Sequence, residues 1–229
     1  MRTPQALFAL AGVVSVAVVA AACVDPAGDY QAYLDRTSQY RGSGDGGGVV
    51  DSVAPTMGVK GTYYVACLPN LSFGDINKLF RFYVESEYVP AMGSAGATIT
   101  YKLTPMNIRD DQGAILPPAG LKFAKPSNPT LSVTNSPVDA KGKFVANFMT
   151  AMIGKSTNPI SWRDITGDNT TLSGYFSDKD YCGGLSGHVV APIDQDLGTA
   201  ADNVCLFKQL KDGDTLPSLT ANDFVCAGL

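Results

Sequence analysis

Histidine, glutamate and charge are scarce in this chain. His188 is the single histidine in 229 residues, glutamate occurs only as Glu85 and Glu87, and charged residues make up 17%. The scarcity of glutamate and histidine argues against a hydrolase acting on glycosides. No Cys-x-x-Cys is present, which argues against a zinc site or a thioredoxin-type redox centre. There is no basic run with interleaved aromatics, so nucleic acid is not an expected partner. The run Gly42-Ser43-Gly44-Asp45-Gly46-Gly47-Gly48 lacks the Gly-Lys-Ser/Thr ending of a phosphate loop.

What is present is aspartate, glycine, proline and β-forming residues. Of the 21 acidic residues 19 are aspartate, and there are 24 glycines and 14 prolines. Aspartate favours turns and caps, whereas glutamate favours helix interiors. The balance predicts many short strands joined by turns. Hydrophobic residues reach 45%, enough for a packed core and too many for a disordered chain.

The amino terminus has the form of an export signal. Arg2 is the only charge in the first 22 residues, and residues 6–22 form an uncharged, mostly apolar stretch. Removing residues 1–22 takes away that one cation and changes the formal charge from −4 to −5. Ala20, Ala21 and Ala22 then precede Cys23. Val19-Ala20-Ala21-Ala22-Cys23 resembles the lipobox of bacterial lipoproteins, although Ala20 stands where leucine is commoner. The resemblance implies that the Cys23 thiol receives a diacylglycerol, that the signal is cut before it, and that the protein is anchored in the cell envelope. Val24, rather than aspartate, follows, which resembles outer-membrane sorting in enteric-type bacteria.

Cysteine parity agrees. The five cysteines are Cys23, Cys67, Cys182, Cys205 and Cys226. Lipidation of Cys23 leaves four, an even number for two disulfides in an oxidising compartment. Of the three connectivities, the expected one is Cys182 with Cys205 and Cys67 with Cys226. Cys182 and Cys205 are close in the strand order, and first and last strands often adjoin.

Residues 23–55 read as a tether, with a turn or two of helix over 29–41 before the glycine run. From residue 56 onward period-two patterns take over. Strands are predicted over 61–67, 79–84, 97–103, 130–134, 142–148, 170–176, 185–191 and 204–208. For the second, Ile76, Leu79, Phe80 and Tyr83 also fit a helix. Phe144, Ala146 and Phe148 share one face. Turn signals fall at Asp111-Gln112-Gly113, Ala140-Lys141-Gly142 and Asp212-Gly213-Asp214. The predicted fold is all-β over 56–229, an antiparallel β-sandwich or partly closed barrel. Asn158-Pro159-Ile160, Leu172-Ser173-Gly174, Cys182-Gly183-Gly184 and the run from Leu185 to Val190 are similar to predicted lipoproteins of myxobacteria. That resemblance implies no activity.

Candidate chemistry is sparse. Ser186 and His188 lie two apart on one strand near Asp194 and Asp196, which suggests a hydrolase triad. Same-strand side chains two apart are separated by about 6.5–7 Å at Cα, too far for the serine to meet the imidazole. An ordinary half-exposed strand histidine is the expectation. No cofactor is expected; a structural calcium ion is the one metal the aspartates admit. Its candidate ligands are Asp164, Asp168 and Asn169, with the Asp-x-Asp pairs 178/180, 194/196 and 212/214. Trp162 and the tyrosines 63, 64, 83, 88, 101, 175 and 181 suggest a glycan platform, against which Trp162 is expected to plug an end of the core. The sequence thus points to an envelope-anchored, disulfide-stapled β domain with a non-catalytic role, binding a protein or glycan or serving structurally. The alternative is a secreted hydrolase acting on an envelope or extracellular polymer.

Overall fold

The computed structural model describes residues 53–118, 121–176, 181–226 and 228–229. The signal, Cys23, the glycine run and Asp178/Asp180 lie outside the described residues. Among the described residues nine strands occur: β1 (Val59–Cys67), β2 (Phe80–Val89), β3 (Ala97–Pro105), β4 (Leu131–Val138), β5 (Lys143–Ile153), β6 (Ile165–Phe176), β7 (Tyr181–Ala191), β8 (Gln195–Asp196) and β9 (Val204–Gln209). The order in the sheet is β6-β5-β4-β3-β2-β1-β9-β7-β8, and β6 also pairs with β7. All pairings are antiparallel. The sheet therefore closes on itself as an eight-stranded barrel, with β8 an extra short strand on β7. The β4–β5 seam is the narrowest, a single residue pair of Val138 with Phe144, and β8 pairs on one side only.

Period two explains the interior. On β5, Phe144, Ala146 and Phe148 are buried while Lys143, Val145 and Asn147 are exposed. After Phe148 the phase slips by one residue, so that Ala151 and Ile153 also face inward. The slip is a β-bulge at Met149, whose φ is +59°; its amide is held by the Asn147 side chain at 2.8 Å. Strand β6 carries a matching irregularity at Asn169 (φ +50°) between inward Gly167 and Thr170. At the hairpin from β4 to β5, Gly142 adopts φ +82°, and a side chain there would strike the Phe176 carbonyl.

Tyr63–Cys67 of β1 and Phe80–Val84 of β2 are buried on both faces. Tyr63, Val65 and Cys67 point into the barrel, while Tyr64 and Ala66 point outward into a second apolar cluster with Leu79, Tyr83, Met106, Phe123, Leu216 and Phe224. The cover over this outer face is made by the β3–β4 connection (106–130) and the carboxy-terminal segment. The amide of Phe123 donates to Asp214 at 2.8 Å, and that of Gly213 to Phe123 at 2.8 Å.

The disulfides are Cys67–Cys205 and Cys182–Cys226, which corrects the expected pairing. Strand β9 inserts between β7 and β1 and places Cys205 directly opposite Cys67 in register. Cys182 instead meets Cys226 on the terminal segment, next to Gly228, whose carbonyl accepts from the Tyr175 hydroxyl at 2.5 Å. The first and last strands do adjoin, but the last barrel strand contains Cys205; Cys226 lies beyond it.

Candidate functional site

The barrel interior divides in two. Aromatic rings fill the half next to the β2–β3 and β4–β5 hairpins. Tyr181 stacks on Phe207 at 4.0 Å and meets Phe176 and Tyr63 edge-on at 4.9 and 5.1 Å. Tyr101 packs on Phe144 at 5.3 Å. Burial pushes the Tyr101 and Tyr181 phenols well above their ordinary range, so both stay neutral. At this end the Tyr88 hydroxyl donates to the Pro55 carbonyl at 2.8 Å, and the Ala54 amide donates to Ala140.

The other half is hollow. A cavity of about 390 Å³ opens at the end where the long connections gather. Its walls are Phe80 and Phe82 from β2, Leu103 from β3, Leu131 from β4, and Phe148, Ala151 and Ile153 from β5. Ile165, Leu185 and Val189 complete them from β6 and β7. Leu71, Ile160, Pro192, Ile193 and Leu197 surround the mouth with Ser161 and Arg163, and Thr170 of β6 is a polar residue of the wall. Eight strands give an interior that is either filled by side chains or able to hold one small ligand. Here the aromatic half is filled and the aliphatic half is not. The volume falls within the range of small-molecule pockets, about 300–1,000 Å³.

Two buried asparagines order the mouth. The Asn158 amide donates to the Ser161 hydroxyl at 3.0 Å and to the Arg163 carbonyl at 2.7 Å, while its oxygen accepts from the Ile160 and Ser161 amides. Arg109 holds the same loop from outside, donating from Nε to the Asn158 carbonyl at 2.7 Å and from Nη2 to Pro159 at 3.0 Å. Asn203 donates to the Leu197 and Thr199 carbonyls at 2.7 and 2.9 Å. Asn158 appears in the sequence only as part of the Asn-Pro-Ile motif, and Asn203 gives no local signal. Buried amides that satisfy loop backbones become visible only in the fold.

His188 sits beside this mouth on β7, with Nδ1 2.7 Å from Asp196 Oδ1 and Nε2 2.5 Å from Asp194 Oδ1. The hydrogen bonds to Asp196 and then Asp194 raise its pKa above the ordinary histidine value. The three side chains clamp the β7–β8 hairpin that carries Pro192 and Ile193. Ser186 is directed elsewhere, its hydroxyl 2.6 Å from that of Thr171. The structure thus joins His188 to the two aspartates and leaves the serine out.

The other aspartates serve the backbone or a phenol. Asp164 accepts from the Lys155 amide, Asp168 from Asn169, and Asp214 from Lys211, while Asp212 accepts from the Tyr83 hydroxyl. Among the described residues no three acidic, histidine or cysteine side chains converge to hold a metal. Trp162 does not plug the core. It lies on the β5–β6 loop, 38% exposed, with Lys155 Nζ 5.0 Å from its ring centre. Its indole packs on Gly113, where a Cβ would sit 3.0 Å from the ring. The tyrosines proposed as a glycan platform are instead buried or half-buried in the barrel and under its cover.

No family model matches the chain, and no curated protein or solved structure is significantly similar to it.

Proposed function

We propose that this protein is a non-catalytic, envelope-anchored binding protein whose barrel takes one apolar ligand of the acyl-chain class. The observation that carries the reading is the open 390 Å³ cavity, walled by aliphatic and phenylalanine side chains and bordered at its mouth by Ser161 and Arg163. An apolar interior favours hydrocarbon, and the guanidinium at the mouth favours a ligand with a polar or anionic end. Binding is chosen over hydrolysis because, among the described residues, the cavity lining pairs no nucleophile with a base.

Anchoring rests on the lipobox-type sequence at Cys23 and on the even number of cysteines left when it is lipidated. The proposed site of residence is the outer membrane of a bacterial envelope. The test is fractionation of the wild-type and Cys23→Ser proteins. The wild type should partition with membranes, and the variant should be released or remain unprocessed. Identical fractionation of the two would refute anchoring and leave the cavity reading to its own test.

A further inference from the structure

Outside the barrel, one charged side chain is buried with two of its three guanidinium nitrogens unpartnered. Arg81 projects from β2 into the outer apolar layer, opposite Ala66 of β1, and is only 2% exposed. Its Nε and Nη1 are shut off from solvent and have no hydrogen-bond partner. Among the described residues the ion pairs are Lys60–Glu87, Lys78–Asp75, Lys125–Glu85 and those of His188, none of which involves Arg81. Its charge acts on the neighbouring Tyr64, where burial raises the phenol to about 12 and Arg81 opposes that rise.

A guanidinium offers five N–H donors and keeps its charge, so burying it without an acceptor is among the costlier things a fold can do. Neighbouring positions in this layer are filled by leucine, methionine and phenylalanine, and an apolar residue would fit the layer without that cost. The side chain lines a cavity of about 160 Å³ together with Asn107, Lys122, Met106 and Leu121, and among the described residues no carboxylate lines it. Lys122 is one of the lining residues, with Nζ 3.0 Å from the Thr215 hydroxyl. Two cations and an amide therefore surround a small space in a protein of net negative charge.

We infer that this cavity is a binding site for a small oxyanion, a phosphate or short carboxylate, held through Nη2, the one Arg81 nitrogen not closed off by the fold, with Lys122 as the second cation of the lining. The volume corresponds to about five waters at roughly 30 Å³ each, which suits an anion of a few heavy atoms and excludes a nucleotide. The site is separate from the barrel interior, since Arg81 lies on the outer face of the strand whose inner face carries Phe80 and Phe82. Bound anion would tie β2 to the 106–130 connection and the terminal segment that covers it.

The test is titration of the full chain with sodium phosphate and, separately, sodium acetate, with sodium chloride at matched ionic strength as reference. The readouts are thermal stability and the ¹⁵Nε resonance of Arg81. A saturable response to either anion is expected, with the two arms showing whether the tetrahedral or the planar group is preferred. Arg81→Met should abolish it, and Lys122→Gln should weaken the affinity about tenfold without unfolding the protein. If Arg81→Met does not fold, the Lys122→Gln shift and the Arg81 resonance decide. No saturable response to either anion, or one unchanged in the variants, would overturn the inference and assign the cavity to water.

Discussion

The side-chain oxygen of Asn203 accepts a hydrogen bond from the backbone amide of Asn70 at 2.8 Å, across 133 positions of sequence. This bond ties the loop before β9 to the 3-10 turn Asn70–Ser72 after β1. Leu197 stands on one side of it and Leu71 on the other, and both border the cavity mouth. The mouth is thus built on loops whose geometry is set by buried amides rather than left to solvent.

Replacing Asn203 by alanine removes its three hydrogen bonds and leaves buried backbone groups without partners. The expected loss is about 2–3 kcal/mol of unfolding free energy. Urea denaturation measures it, and hydrogen exchange should show faster opening around Asn70 and Leu197 than at β5. A variant as stable as wild type would mean that water replaces the amide without cost.

The disulfide pairing is checked by mass spectrometry of unreduced peptides. Fragments containing Cys67 and Cys205 should travel together, as should those with Cys182 and Cys226. Cys67–Cys205 spans 138 residues and Cys182–Cys226 spans 44. In the chain-entropy model they stabilise by about 5 and about 4 kcal/mol respectively. Reducing both should lower the midpoint of unfolding strongly, with the Cys67→Ala/Cys205→Ala protein more affected than its Cys182→Ala/Cys226→Ala counterpart. The reverse ranking would contradict the loop-length account of the two bridges.

His188 provides a pH signature. Its folded pKa is raised by Asp196 and Asp194, so the clamp contributes fully below the ordinary histidine value of about 6.5 and is lost as pH rises through the raised value. Asp168 lies opposite His188 on β6 and adds negative charge on that side. An NMR titration of the single imidazole should therefore give a midpoint above the ordinary value. Asp196→Asn should lower it more than Asp194→Asn, because the Asp196 hydrogen bond is the larger cause. A midpoint at or below the ordinary value would show that the clamp does not form in solution.

Much of the barrel is legible in the sequence, and the limits have physical reasons. Period two holds over 142–148 and 170–176, and both segments are strands. It fails at Met149 and Asn169, where bulges shift the phase, so β5 and β6 extend well past the stretches that alternation reveals. Tyr63–Cys67 of β1 reads as an apolar run because a second layer covers its outer face. That layer comes from 106–130 and the terminal segment, which carry little regular structure and hence little pattern. Closure itself depends on β9 pairing with both β1 and β7, a long-range choice that no local motif specifies. The cavity has no sequence signature either. It lies where Phe80, Phe82 and Phe148 share the lining with aliphatic residues at one end, while the stacked rings of Tyr181 and Phe207 fill the other.

The central claim is that the aliphatic half of the barrel holds an acyl-type ligand, and fluorescence titration of the mature chain with cis-parinaric acid tests it most directly. The Cys23→Ser form, free of its own lipid, should bind one probe per barrel, with displacement by unlabelled long-chain fatty acid. Ala151 lines the cavity and is only 4% exposed, so Ala151→Trp should fill the space and abolish binding while the protein stays folded by circular dichroism. Binding of similar strength in wild type and Ala151→Trp, or no binding to the folded wild type, would contradict the account.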